Sequence, residues 1–216
     1  MRFFYKAFKG GYGEGDKFIG GLTVPLQRKI AEKYYKDLTL EDIAEMLNSK
    51  FHEIRFTATE LLKFKYNSSK EITEKEKLVK FYLKNLDGIN NWDIVDNSCY
   101  KILGDYLEKK NDISILLKLS ESKIMWEQRI AMVSTMAFIR NNKLEPTYQL
   151  AEILVNHKHD LMHKAVGWLI REAGKRDISR LRNFLDKHYK TMPRTALRYA
   201  IEKMGKEERD KYLGRS

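Results

Sequence analysis

The stretch INNWDIVDNSCYKILGDYL, Ile89 to Leu107, carries the pattern that decides the fold. Its apolar residues recur at spacings of three and four, the stripe of an amphipathic helix: Val95, Cys99, Ile102 and Tyr106. Asp96 lies on the flank of this stripe, one turn after Trp92. A carboxylate in such a position costs desolvation energy unless it is paired or used, so the stretch predicts both a buried helix and a functional acid.

Helical windows of this kind run along nearly the whole chain, and signals for strands are scarce. Five helices share one pattern, and they begin near FHEIRFTATELL, NWDIVDNSCYKIL, MWEQRIAMVSTM, LMHKAVGWLIRE and MPRTALRYAIEK. Matched positions recur about every 30 to 40 residues, which is the period of a two-helix repeat. We therefore predict an all-α, HEAT-like helical-repeat solenoid that forms a single domain over residues 1–216.

One matched position of the shared pattern is basic in four of the five helices. These residues are Arg55, Arg129, Lys164 and Arg194. Because equivalent positions of stacked repeats face the same way, they predict a row of cations along a concave basic groove. Random charges on solvated faces are the alternative explanation. The second repeat breaks the row, with Val95 at the basic position and Asp96 beside it.

The charge balance favours a polyanionic partner, because 41 Lys and Arg against 30 Asp and Glu give a formal net charge of +11. Nucleic acid and an anionic membrane surface are the leading classes, and simple solubility is the bland alternative. Further cations extend the basic set: Lys190, Arg194 and Arg198 at spacings of four, and Lys164 with Arg171 on the preceding repeat. Cations on a curved surface match duplex phosphates, so double-stranded nucleic acid is the favoured partner.

The rest of the sequence argues against several other kinds of protein, such as membrane, metal-binding and nucleotide-binding proteins. No apolar run reaches the length of a membrane span, and no signal peptide is predicted. Cys99 is the single cysteine, which excludes an intrachain disulfide and suits a reducing cytoplasm. His157 and His159 lack a convincing third ligand, so no metal is expected. The segment GGYGEGDKFIGG lacks the ending of a phosphate-binding loop, so no nucleotide cofactor is expected.

An acid held in a basic groove beside DNA suits an enzyme that develops positive charge. Cleavage of a purine N-glycosidic bond forms an oxocarbenium ion, which the carboxylate of Asp96 could stabilise while it orients the attacking water. Trp92 and Trp168 offer aromatic faces that attract cationic bases. The alternatives are that both tryptophans belong to the core, and that Asp96 caps a turn or pairs with an internal lysine.

Five long motifs lie along the chain: YGEGDKFIGG with TVP one residue later, NNWDIVD, WEQRIAMV, HDLMHKAVGWLIREAGKRD and KTMPRTALRYAIEK. Together they resemble the DNA alkylation repair family, the AlkD-like DNA glycosylases. The similarity runs from about Tyr12 to Tyr212. It implies a curved HEAT-like solenoid that binds duplex DNA in its concave groove. It also implies excision of cationic lesions such as 3-methyladenine and 7-methylguanine without a metal or a nucleotide.

Matched motif by motif, the resemblance implies a role for four residues. Asp96 is the catalytic aspartate, Trp92 and Trp168 flank the lesion, and Arg129 contacts the DNA backbone. Phe18, in the N-terminal motif, is expected near the lesion. The family implies a monomer that acts in the cytoplasm, and at the nucleoid in a prokaryote. The main rival is a non-catalytic HEAT-like protein that binds damaged or branched DNA.

Overall fold

The computed structural model describes residues 4–214, and no β-strand occurs among them. The all-α prediction is therefore confirmed. The α-helices in chain order are α1 (Val24–Tyr34), α2 (Leu40–Leu47), α3 (His52–Ser68), α4 (Ile72–Lys84), α5 (Trp92–Cys99), α6 (Asp105–Lys110), α7 (Ser114–Ser120), α8 (Met125–Ser134), α9 (Met136–Arg140), α10 (Glu145–Leu154), α11 (Asp160–Gly174), α12 (Ile178–His188), α13 (Arg194–Ala200) and α14 (Lys206–Leu213). A 3-10 turn spans Leu86–Gly88, and a π-helical segment spans Tyr100–Gly104.

Local chemistry explains where several helices begin. Thr39 caps α2 in a reciprocal box, in which its hydroxyl accepts from the amide of Asp42 and the Asp42 carboxylate accepts from the amide of Thr39. Thr23 caps α1, and Pro25 occupies its first turn. Pro193 directly precedes α13. The side chains of Thr23 and Thr39 thus accept hydrogen bonds from backbone amides that would otherwise have no partner at the start of a helix.

The chain divides into two compact units, with the boundary between Tyr106 and Leu107. The single domain expected over residues 1–216 stays a prediction, and each unit is described by itself. In the first unit, α3 is the central helix and packs against α1, α2, α4 and α5. Most of α3 is buried, including the charged side chains of Glu53, Arg55, Glu60 and Lys63. Because a buried charge needs a partner, α3 must carry internal ion pairs.

In the second unit α11 is central and contacts α8, α10, α12 and α13. Its glycines permit close packing. A Cβ added to Gly167 would lie 2.3 Å from the carbonyl oxygen of Ala196 on α13. A side chain at this position would push the two helices apart, so glycine is required by the approach of the backbones.

The stretch from Ile89 to Leu107 forms the predicted buried stripe. Val95, Cys99 and Ile102 are fully buried, and Tyr106 is nearly so. The helix is not uniform, however, because α5 continues into the π-helical segment before α6 begins. Segments with π geometry are rare and occur often at functional sites. Among the described residues, no helix has the length and apolar character that crossing a membrane requires.

Candidate functional site

Trp92 is the first residue of α5, and its position is set by Asn91, which is fully buried. The Asn91 side-chain oxygen accepts from the Trp92 amide at 2.8 Å, and its nitrogen donates to Asp16 at 3.1 Å. The indole is partly exposed. Phe4 meets it edge-on at 5.5 Å between ring centroids, and Tyr5 stacks at 5.9 Å. Trp92 therefore lies at the edge of an aromatic cluster contributed by the N-terminal segment.

Phe18 joins this aromatic cluster through a shared neighbour. Its ring stacks on Tyr5 at 5.4 Å, and both rings lie against His52, the first residue of α3. Phe18 and Trp92, two predicted site residues, therefore both contact the ring of Tyr5. The predicted contact of Phe18 with a lesion stays a prediction.

A buried charged network lies beneath the aromatic cluster. His52 Nε2 lies 2.9 Å from Asp93 Oδ2, and His52 Nδ1 lies 3.4 Å from Asp16 Oδ2. Burial lowers the pKa of His52, but the hydrogen bonds and charges of Asp16 and Asp93 outweigh it and raise the pKa to about 9. The imidazole is therefore a cation at neutral pH. It ties the N-terminal segment, α3 and the first turn of α5 together.

Asp96 follows Trp92 by four residues on α5, so the two lie on the same face about 6 Å apart along the axis. Asp96 is partly exposed, whereas Val95 beside it is fully buried. The pKa of buried Tyr82 is raised by desolvation first, then by Cys99 and by the charge of Asp96. The acid predicted to be functional thus lies at the boundary between the core and the surface.

Asn97, next to Asp96, is held by a polar cluster that the sequence did not reveal. Its side-chain oxygen accepts from Lys63 at 2.9 Å and Arg28 at 3.2 Å, and its nitrogen donates to Glu60 at 2.5 Å. Lys63 also pairs with Glu60 at 2.7 Å. Burial lowers the pKa of Lys63 to about 8, although Glu60 opposes the shift. The only sequence signal was the spacing of three between Glu60 and Lys63, because Asn97 comes from a distant segment.

Two members of the predicted cation row do not face the solvent. Arg55 is 4% exposed, pairs with Asp16 at 2.7 Å and donates to the Ser49 carbonyl at 3.0 Å. Arg129 is also 4% exposed and donates to the carbonyl of Leu161 in the first turn of α11. The phosphate contacts predicted for Arg55 and Arg129 stay predictions, and in this structure both guanidinium groups donate to internal acceptors.

Trp168 lies on α11 of the second unit and is partly exposed. It borders a cavity of about 440 Å³ whose rim carries Arg140, Lys175 and Arg176 together with Glu172. An indole beside several cations and an acid is a polar, accessible setting. It does not resemble the buried core position that was the alternative for this tryptophan.

Two predicted cations near Trp168 are paired with carboxylates. Lys164 forms a bridge of 2.7 Å with Asp160, one turn before it. Arg171 contacts Glu202 and lies 3.3 Å from Glu172. Both residues are partly exposed, so a phosphate would have to compete with these acids.

The predicted cations on α13 and just before it are more accessible. Lys190, Arg194 and Arg198 are all exposed. Lys190 lies 5.7 Å from the Tyr189 ring centroid, and Arg194 donates to the carbonyl of Leu213 at 3.0 Å. Neither contact neutralises the charge, which leaves these side chains the most available of the predicted DNA contacts.

The histidines considered as metal ligands are engaged in hydrogen bonds. His157 Nε2 lies 2.9 Å from Gln128 Oε1, and His157 Nδ1 accepts from the amide of His159 at 2.9 Å. Within residues 4–214, no group of three or more His, Cys, Asp or Glu side chains is arranged to hold a metal ion.

The sequence model of the family described as "DNA alkylation repair enzyme" matches residues 1–204. A solved structure titled "Predicted DNA alkylation repair enzyme from Enterococcus faecalis" shares the fold, with a TM-score of 0.70 and 14% identity over 90% of this chain and 92% of that chain. No curated protein matches. The family match supports a role in the repair of alkylated DNA, and the chain belongs to the DNA alkylation repair enzyme family.

Proposed function

We propose that this protein is a monofunctional DNA glycosylase. It hydrolyses the N-glycosidic bond of cationic N-alkylated purines, such as 3-methyladenine and 7-methylguanine, in duplex DNA and leaves an abasic site. The observation that carries the proposal is the placement of Trp92 and Asp96 on one partly exposed face of α5, whose other face is buried in the core. The family match supports the same reading.

Asp96 would stabilise the charge that develops during the reaction. As the bond to the base lengthens, the deoxyribose becomes an oxocarbenium ion, and a nearby carboxylate lowers the energy of that state. The same carboxylate can orient or deprotonate the attacking water. An alkylated purine leaves as a neutral base, so little acid catalysis is needed. One aspartate is therefore sufficient for this chemistry.

Trp92 would recognise the positive charge of the lesion. An indole attracts a cation to its face, and the partly exposed ring of Trp92 lies one turn before the catalytic acid. Tyr5 packed on one side would hold the indole in a fixed orientation. Trp168 is proposed as a second aromatic contact on the strength of the family motif that it matches.

The exposed cations of the second unit would bind the phosphate backbone. Lys190, Arg194 and Arg198 are the first candidates, because no carboxylate of the described residues neutralises them. Lys164 and Arg171 would contribute only by exchanging their carboxylate partners for phosphates. Such contacts release counterions and make affinity dependent on salt.

Hydrolysis without strand cleavage fits the state of Lys63, the buried lysine that reaches Asn97. Glycosylases that cut the strand need a free amine to form a Schiff base with the sugar. Lys63 reaches Asn97, next to Asp96, but its side chain is only 8% exposed and is bound by Glu60. A lysine held in this way is not a free nucleophile.

A second candidate is a non-catalytic protein that binds damaged or branched DNA. It is favoured by one observation, the packing of Phe4 and Tyr5 against the Trp92 ring, which leaves less of the indole for a lesion. This reading predicts duplex affinity without any release of bases.

Base release from methylated DNA separates the two candidates. Duplex DNA treated with a methylating agent is incubated with the protein in EDTA, and released purines are resolved by chromatography, with unmethylated duplex as the control. The glycosylase predicts enzyme-dependent 3-methyladenine or 7-methylguanine and an equal number of abasic sites. The absence of both products, with DNA binding intact, would support the binding protein.

A further inference from the structure

A cavity of about 630 Å³ lies in the first unit, where α3 ends and α4 begins. Its volume is in the range of pockets that bind small molecules. The Ser68 end of α3 is 16 residues from His52, or about 24 Å along the helix axis. The cavity is therefore remote from the charged network around His52, and neither Trp92 nor Asp96 lines it.

The cavity is lined by four lysines and two glutamates: Lys36, Lys65, Lys70, Lys77, Glu71 and Glu74. Among residues 4–214, none of these four ammonium groups has a carboxylate within 4.0 Å. Elsewhere in the same unit, Lys63 pairs with Glu60 and Lys80 pairs with Glu76. With four lysines against two glutamates, the lining of the cavity carries an excess of positive charge, which favours occupation by an anion.

The start of α4 lies beside the cavity, which Glu71 and Glu74 of its first turn line. Glu71 occupies the capping position but makes no side-chain cap hydrogen bond, so the first amides of the helix are not capped by that side chain. The positive end of this helix of 13 residues adds to the lysine charges, and the carboxylate of Glu74 offsets part of it. Uncapped amides and a helix dipole favour phosphate groups in particular.

Part of the lining is apolar and aromatic. Tyr35 stacks on Phe64 at 5.6 Å between centroids, with 28° between the ring planes, so its ring is held in place. Leu40 and Leu78 complete the apolar lining. A lining that is both apolar and cationic suits a ligand that has both a phosphate chain and an organic part.

We propose that this cavity binds a compact, multiply charged phosphate group. Two sources share that chemistry, the oligophosphate of a free nucleotide and the phosphates of a DNA strand. The volume of about 630 Å³ suits a small free oligophosphate. The proposal goes beyond the glycosylase function and does not depend on it, since neither Trp92 nor Asp96 takes part.

The first test measures binding of inorganic tripolyphosphate and of ATP by calorimetry at low salt. The variant Lys70→Gln/Lys77→Gln removes two lysines of the cavity. The control Lys29→Gln/Lys84→Gln removes the same charge from two exposed lysines of the same unit that do not line it. We expect saturable binding that weakens about tenfold in the cavity variant, because two cationic contacts are lost, and less than twofold in the control.

The second arm identifies the source of the phosphate. If the natural ligand is a free oligophosphate, undamaged duplex DNA binds the cavity variant and the control variant equally. If the ligand is a DNA strand, the cavity variant loses more duplex affinity than the control, and tripolyphosphate competes with the duplex. The proposal is overturned if neither tripolyphosphate nor ATP binds saturably, or if the two double variants lose oligophosphate affinity to the same extent. Neither readout involves base release, so failure here is distinct from failure of the glycosylase assignment.

Discussion

Replacement of His52 by glutamine should remove a pH-dependent part of the stability. His52 is buried between Asp16 and Asp93, and these two carboxylates raise its pKa from 6.5 to about 9. A histidine whose pKa is raised on folding stabilises the native state fully below pH 6.5. That contribution is lost as the pH rises through 9. Arg55, which pairs with Asp16, and Tyr5, which rests on the imidazole ring, complete the surroundings of His52.

The size of the effect follows from the two pKa values. One pKa unit corresponds to about 1.4 kcal/mol, so a shift of this size contributes at most about 3 kcal/mol. Between pH 6.5 and 8 the contribution of His52 to the free energy of unfolding should fall by about 1.5 kcal/mol. This figure allows for the partial protonation of the unfolded histidine at pH 6.5. The pH interval of the experiment ends at 8, because the pKa of Lys63 is lowered to about 8. Above that pH the contribution of Lys63 to the free energy of unfolding rises while that of His52 falls.

Urea unfolding of the wild type, His52→Gln and His188→Gln at pH 6.5, 7.25 and 8 measures this contribution. His188→Gln is the control, because His188 belongs to the second unit, where it lies beside Glu152. The wild type and His188→Gln should lose free energy of unfolding along this series, and His52→Gln should lose about 1.5 kcal/mol less. Equal slopes for the wild type and His52→Gln would refute the charged network.

Arg55→Gln should lower the free energy of unfolding by about 1.5 to 3 kcal/mol, because the Asp16 carboxylate loses one of its three partners and keeps His52 and Asn91. It should not change the salt dependence of duplex binding. Arg198→Gln should do the reverse, with unaltered urea unfolding and a slope of log affinity against log salt that is smaller by about one unit; an unchanged slope would exclude a phosphate contact. Borohydride added during base release should trap no covalent protein–DNA adduct, either in the wild type or in Lys63→Ala. An adduct that disappears in Lys63→Ala would show that Lys63 is a nucleophile.

The helical fold was predictable because its determinants are local. The spacing of Val95, Cys99 and Ile102 gave the buried face of α5 and of the π-helical segment that follows it, and Thr39 marked the start of α2. The π-helical segment was not predictable in this way. Its residues also fit an ordinary α-helix. Whether they form the wider π-helical turn depends on how the helix packs against its neighbours.

The cation row shows why a repeat register is not enough to identify a binding surface. Arg55 and Arg194 occupy matched positions of the pattern, but Arg55 is buried against Asp16 whereas Arg194 is exposed. Asp16 lies 39 residues away in the N-terminal segment, and a helix period carries no information about such a partner. Burial of a charge depends on tertiary contacts, so each arginine of the row had to be located individually.

The cluster around Asn97 was missed for the same reason. The pair Glu60 and Lys63 is readable as a helical neighbour pair, but the hydrogen bonds to Asn97 join segments more than thirty residues apart. Asp96 was singled out because an acid on the flank of an apolar stripe is a local anomaly. Its assignment as the catalytic acid came from the resemblance, and it stays a prediction until it is measured.

The central claim is that Asp96 acts in the chemical step. The direct measurement is single-turnover release of 7-methylguanine from a duplex with one lesion, comparing the wild type, Asp96→Asn and Asp87→Asn, an exposed aspartate of the same unit. We expect Asp96→Asn to lose about two to three orders of magnitude in rate while binding the duplex equally well or more tightly, because a negative charge near phosphates is removed. Asp87→Asn should match the wild type. Release by Asp96→Asn at the wild-type rate would contradict the account.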